Sequence, residues 1–245
     1  MGLIKKYQDY KEKSRLKRIE RAAKLIKNPK ATKDDRWAAL EFFSSLDDPA
    51  VSVPALLERF EFSLEHGILD TREKELALEG ILKCKDACLD DVRGKLVTTT
   101  KIAWPLKVLS QLASEEVLVK SLTDTLNFED VSFDQGAVDK NYDVLCYLRD
   151  YQLSDVAIKI AHFLKDPDER VRFACAEVLI EQDQDMSGVL EPFLLDDSSE
   201  NRRIKQSVIT AFIDKKWQAK DIENLQTVLA ADGVNVGKNG VLSGR

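Results

Sequence analysis

Apolar stripes of helical period recur six times along residues 31–230, at intervals of about 30–38 residues. Candidate first helices begin near residues 33, 71, 102, 137, 168 and 200, each followed by a second apolar segment after a short polar break. The paired segments span 32–46 with 53–67, 70–85 with 87–99, and 102–113 with 114–127. The later pairs span 138–151 with 153–166, 167–182 with 186–197, and 199–217 with 220–230. In the second segment Val53, Leu56, Leu57, Phe60 and Leu64 share one stripe, with Gly67 as a candidate C-terminal cap. Ser114, followed by Glu115 and Glu116, suits a helix start.

One such pair is too small to bury its own stripe, so pairs at a fixed period predict stacking into a continuous core. The expected fold class is all-α, an α-solenoid of about six stacked antiparallel helix pairs with an N-terminal basic helix. Only 10 glycines and 6 prolines interrupt the 245 residues, and Leu, Ala, Lys and Glu favour helix over strand. The expected layout is a basic helix or arm over 1–30, the repeats over 31–230 and a flexible tail over 231–245.

The stretch Lys165-Asp166-Pro167-Asp168-Glu169-Arg170-Val171-Arg172-Phe173-Ala174-Cys175-Ala176-Glu177-Val178-Leu179 resembles the core of a bacterial HEAT repeat. It has the Asp-Pro turn, the Val-Arg pair, two small residues and a closing Leu. Val144, Leu145 and Leu148 stand 31 places before Cys175, Ala176 and Leu179. Ile204, Lys205, Val208 and Phe212 stand 33 places after Val171, Arg172, Cys175 and Leu179. Asp48-Pro49 is similar to the family's turn but lies between the helices of its pair. The resemblance covers roughly residues 31–230 and includes the short, phycobilisome-lyase-like repeats. It implies bonds across repeats between a turn Asp and an Arg or Lys six residues on: Asp166 with Arg172, Asp134 with Lys140, Asp197 with Arg203. The last pair conflicts by two places with the 33-residue alignment.

Charge is unevenly distributed. Residues 1–30 hold 11 Lys/Arg against three Asp/Glu, a net of +8, and the whole chain carries −6, which leaves −14 for the remainder. Within the arm, Leu16, Ile19, Ala23 and Ile26 form one stripe, and Leu3, Tyr7 and Tyr10 form a second, roughly opposite. One straight helix cannot turn both onto one core. Residues 16–27 are therefore expected to cap the repeats while residues 1–12 project or bend away. Lys5, Lys6, Lys11, Lys13, Arg15, Lys17 and Arg18 are candidate partner-binding residues, against the plainer alternative of a solvated basic cap. Phe62 and Ile158 lie off the core stripes of their helices. They either pack on neighbouring repeats or serve as apolar contacts on the surface that second helices line in the HEAT family.

Motifs for chemistry are missing: there is no Gly-rich phosphate loop before a helix, no Gly-x-Ser-x-Gly, no His-Glu-x-x-His and no metal-finger spacing. No catalytic residue, metal site or cofactor is expected. Among HEAT-like enzymes, deoxyhypusine hydroxylases carry His-Glu pairs, whereas here His66 precedes Gly67 and His162 precedes Phe163. The DNA glycosylases use Trp and Asp in a basic groove; Trp37, Trp104 and Trp217 are present, but residues 31–245 are acidic, which opposes phosphate binding. Cys84, Cys88, Cys146 and Cys175 form no Cys-x-x-Cys pair, and reduced thiols are expected.

No apolar run reaches the roughly 18–20 residues of a membrane span, and the start lacks an apolar signal core. Gly2 suits a myristoylation start, but Lys6 stands where Ser or Thr is wanted. The expected setting is cytoplasmic. The expected function is a non-enzymatic scaffold that binds another protein along a repeat surface. The alternatives are a nucleic-acid-associated, glycosylase-like protein acting through the arm, a bilin-lyase-like accessory factor, or peripheral membrane contact through residues 1–12.

Overall fold

The computed structural model describes residues 2–129, 131, 133–154 and 156–244, with the backbone alone for residues 2–5. The fold is all-α, and the chain divides into two compact units, residues 1–121 and 122–245.

The first unit contains α1 (Gly2–Ile26), α2 (Lys33–Ser44), α3 (Pro49–Leu57), α4 (Gly67–Leu82), α5 (Leu89–Thr98) and α6 (Ala103–Leu112). It is followed by α7 (Glu115–Thr123). Helix α2 packs on α1, α3 and α4, α4 packs on α6, and α3 packs on α5. The local chemistry accounts for the ends. Thr32 accepts from the Asp35 N–H at 3.2 Å to cap α2, and Ser114 accepts from the Val117 N–H at 3.4 Å as expected of a helix start. Helix α3 begins earlier than the apolar stripe suggests because Pro49 occupies its first position, where a missing N–H costs nothing. Val53, Leu56, Leu57 and Phe60 are buried, and a 3₁₀ turn over Glu58–Glu61 completes the segment. Gly67 is not a C-terminal cap: it opens α4, where His66 Nδ1 accepts from the Leu69 N–H.

The second unit contains α8 (Gln135–Leu148), α9 (Val156–Ile160), α10 (Glu169–Ile180), α11 (Ser187–Leu190), α12 (Arg202–Asp214) and α13 (Ile222–Ala230). Helices α9 and α11 are short and continue as 3₁₀ turns over Ala161–Lys165 and Glu191–Leu194. In the latter Pro192 has no N–H with which to continue an α-helix. Helix α10 packs against both α8 and α12.

The 31- and 33-residue registers read from the sequence place equivalent residues in equivalent surroundings. Val144, Leu145 and Leu148, then Cys175, Ala176 and Leu179, then Val208, Ile209 and Phe212 are all buried. One turn earlier each helix carries a buried polar residue: Asn141, Arg172 or Lys205. Each ties down the loop before its helix. Asn141 exchanges two 2.9 Å bonds with the Asn127 backbone. Arg172 Nη1 donates to the carbonyls of Asp166 and Pro167, both at 2.9 Å, and its Nε donates to Asn201 Oδ1. Lys205 Nζ donates to Asp197 Oδ1 at 2.6 Å and meets Asp232 Oδ2 at 3.2 Å.

The Asp-to-Arg spacing fails in detail. The Asp166 carboxylate accepts from the Asp168 N–H, Asp134 caps α8 at the Ala137 N–H, and Asp197 bonds Lys205 while Arg203 lies over the Phe173 ring. The 33-residue alignment is therefore the consistent one, because it places Lys205 at the buried position that Arg172 occupies.

Residues 231–245, expected to be a flexible tail, contain an antiparallel pair, β1 (Val234–Val236) with β2 (Leu242–Gly244). Val234, Val236 and Leu242 are buried, and β2 contacts α12. Gly240 makes the turn possible: its φ is +78°, and a Cβ there would stand 2.2 Å from the Ala219 carbonyl oxygen.

Candidate functional site

Helix α1 is one uninterrupted helix over Gly2–Ile26, so residues 2–12 continue the capping segment as helix. Its buried side chains lie at its C-terminal end. Ala22 and Ile26 are buried and Ile19, Ala23 and Leu25 half-buried, whereas every described side chain from Lys6 to Arg18 is exposed. Leu16, expected in the capping stripe, is 50% exposed. The stripe that packs is Ile19, Ala22, Ala23 and Ile26, spaced for one helix face.

The candidate cations divide by what they touch. Arg15 Nη2 pairs with Asp48 Oδ2 at 3.0 Å, the Arg18 guanidinium lies 4.5 Å from the Phe42 ring centre, and Lys11 Nζ lies 5.0 Å from that of Tyr7. Lys6, Lys13 and Lys17 make no ion pair or hydrogen bond among the described residues, and the same holds for Arg21 and Lys24. The side chain of Lys5 lies outside the described residues. At about 100° per residue, Lys6, Lys13, Lys17, Arg21 and Lys24 fall within one arc of about 120°, together with Tyr10 and Tyr7. Asp9, Glu12 and Glu20 fall outside it. Two members of this face, Arg21 and Lys24, were not among the residues singled out from sequence. The spacing 6, 13, 17, 24, with 21 beside it, carries the signal that finds them.

Phe62 and Ile158 do not join this surface. Phe62 is half-buried with the Arg59 guanidinium 4.4 Å from its ring centre, so its face is already occupied. Ile158 is 54% exposed on α9, in the other unit.

The strongest concentration of charge inside the protein lies elsewhere in the first unit and has no sequence signature, its members being scattered from residue 36 to residue 74. Arg36 and Arg59 both bond Glu73, Arg59 Nη2 bonds Asp70 Oδ1 at 2.6 Å, and Lys74 Nζ bonds Asp70 Oδ2 at 2.7 Å. Arg36 Nη1 also donates to the carbonyls of Pro29 and Ala31, and Arg59 Nη1 donates to that of Phe62. Burial on its own raises the Asp70 pKa, but the bonds from Lys74, Arg59 and the Leu64 N–H together hold it below the ordinary aspartate range. The cluster crosslinks α2, the turn after α3 and α4. Three cations share two carboxylates, and every charged group of the cluster is hydrogen-bonded within it.

The thiols are likewise quiet. Burial pushes Cys88 up to about 11 and Cys175 further, so neither is a thiolate near neutral pH. Among the described residues no group of three or more His, Cys, Asp or Glu has the arrangement of a metal site. Of the tryptophans, Trp104 stacks on Phe60 at 5.6 Å and Trp217 meets Phe212 edge-on, whereas the half-buried Trp37 donates to Glu41. Among the described residues no helix is long and apolar enough to cross a membrane. Comparison with protein-family models, with curated proteins and with solved structures finds no match to this chain.

Proposed function

We propose that this chain is a non-enzymatic binding scaffold of the HEAT-like kind, a stack of six helix pairs whose first helix, α1, docks an acidic protein surface. The observation that carries the reading is the row of five cations on one exposed face of α1 that make no ion pair or hydrogen bond among the described residues. Long basic side chains left without intramolecular partners stabilise nothing in the chain itself, yet they attract an opposite field at a distance.

Two other polyanions fit less well. A nucleic acid held on α1 would face the −14 of the remaining residues, a repulsion that grows with the length bound. A lipid surface needs an apolar face to insert; of the exposed side chains described, Tyr7 and Tyr10 are set among the cations and Leu16 lies on another side of α1. The recurring register of buried residues in α8, α10 and α12 supports the repeat reading.

The test measures binding of the full chain to poly-glutamate, to duplex DNA and to anionic vesicles at low salt. Poly-glutamate is expected to bind best, and Lys13→Glu/Lys17→Glu/Arg21→Glu is expected to weaken it about tenfold, near 0.5 kcal/mol per reversed charge. Preference for DNA or vesicles, or indifference to the reversal, would overturn the reading.

A further inference from the structure

The second unit carries a surface with the converse chemistry of α1. A groove of about 420 Å³ runs between α10 and α12. Glu177, Glu181 and Asp214 rim it, and Ile180 and Ala211 give it an apolar floor. None of the three carboxylates makes an ion pair or side-chain hydrogen bond among the described residues. The one cation at the rim, Lys215, is committed to the Gln182 carbonyl at 2.8 Å. Glu177 on α10 and Glu181, its C-terminal cap, stand four residues apart, about one helical turn, which is also the separation of Lys13 from Lys17 and of Lys17 from Arg21. Tyr10, 71% exposed, stands seven residues before Lys17 on the same side of α1, so one helix offers cations at one-turn intervals beside an aromatic ring.

We infer that the occupant of α1's free face is the α10–α12 groove of a second copy of this chain. The match is of charge, of spacing and of an apolar element at the centre, the combination that fixes register as well as attraction. Two copies of α1 cannot pair with each other, since both faces are basic. The contact is therefore between unlike faces, the helix of one copy against the groove of another, whether two copies exchange helices reciprocally or successive copies associate head to tail. This inference rests on the proposed binding role of α1 and names the partner.

Sedimentation velocity of the full chain tests it. At about 0.01 M salt, where screening acts over about 30 Å, the mass is expected to rise with concentration, and at several tenths molar salt it is expected to return to that of one chain. Lys13→Glu/Lys17→Glu/Arg21→Glu and Glu177→Lys/Glu181→Lys/Asp214→Lys are each expected to remain single chains. Mixed in equal amounts they are expected to form a one-to-one complex that grows no further, since only one intact helix and one intact groove remain. Both sets of reversals in one chain are expected to restore association. Unfolding melts check that each variant folds, and the milder Glu177→Gln/Glu181→Gln/Asp214→Asn replaces the groove variant if it does not. A wild-type chain that stays single at low salt, or variants that fail to complement, overturns the inference. Poly-glutamate capture tells the two failures apart: retained, it leaves the role of α1 standing; lost together with self-association, it ends both.

Discussion

Arg59 Nε donates to Glu73 Oε2 at 2.8 Å, and neither side chain is exposed to solvent at all. Glu73 on α4 immediately precedes the buried Lys74, as the buried Val171 and Ile204 immediately precede Arg172 and Lys205 on α10 and α12. A carboxylate thus occupies a core position, and Arg36 and Arg59 are drawn inward to compensate it. Glu73→Gln is expected to cost about 3–5 kcal/mol, because buried Arg36 loses its counter-charge and Arg59 is left with Asp70 alone. The triple change Arg36→Met/Glu73→Leu/Arg59→Met is expected to be far less damaging than Glu73→Leu alone. Urea unfolding of the variants checks both; equal losses would show that the pairing itself carries net stability.

Asp70 gives a pH signature with a definite sign. Its folded-state pKa lies below the ordinary value of 3.8, so the unfolded chain binds the proton more readily. Its contribution is fully present above the unfolded pKa and is lost as pH falls through the folded one. Asp70→Asn is expected to destabilise by about 3 kcal/mol near neutrality. That gap should narrow when both proteins are unfolded in urea at about pH 3. A gap independent of pH would mean that shape and neutral hydrogen bonds, not charge, matter at this position.

The buried polar position of the second unit separates two neighbouring residues. Arg172→Ala and Lys205→Ala are each expected to lose about 1–3 kcal/mol, because loop carbonyls or carboxylates lose their donors. Arg203→Ala, which removes a stack on Phe173, is expected to lose about 1 kcal/mol or less, and exposed Lys220→Ala less still. Thermal melts of the four variants rank them. Arg203 costing more than Lys205 would reverse the register.

Truncation of α1 tests where it is anchored. Removing residues 2–12 is expected to leave the melt unchanged, since none of the described side chains there is buried. Removing residues 2–26 also strips Ala22 and Ile26 from α2, and burying one such large side chain is worth about 1.5–3 kcal/mol. The longer deletion is therefore expected to lower the melting temperature and expose apolar surface to dye. Unfolding by the short deletion would make the projecting part structural.

In the C-terminal hairpin, Gly240→Ala is expected to be among the costlier single changes outside the helices. It places a methyl group against the Ala219 carbonyl at a backbone angle that side chains disfavour. Loss of β1–β2 amide protection in hydrogen exchange, with α10 and α12 retained, is the expected result; unchanged protection would show that the turn relaxes around the methyl group.

Helices were legible because their signal is local. Every segment read as helical forms one, and the residues that match Cys175 and Leu179 at 31 and 33 places are the ones that pack. The arm's excess charge and the two opposed stripes were equally plain, since charge and spacing are counted along the chain. The failure of Leu16 to pack was not: which turns of α1 are covered depends on where α2 and α3 lie, and the side chains they bury are Ala22 and Ile26. The hairpin was missed because two three-residue strands carry too short an alternation to stand out, and their burial depends on α12 and α13, which flank them. The ion cluster was invisible for the same reason. Arg36, Arg59, Asp70, Glu73 and Lys74 are unremarkable charges at separations of up to 37 residues, and only the packing of α2, α3 and α4 brings them within 3 Å. Periodicity along a chain determines which faces must be buried. Which charges end up inside, and which stay free on α1 and around the α10–α12 groove, is decided by the partners that tertiary contact supplies, because a charge is tolerated in the interior only where an opposite one meets it.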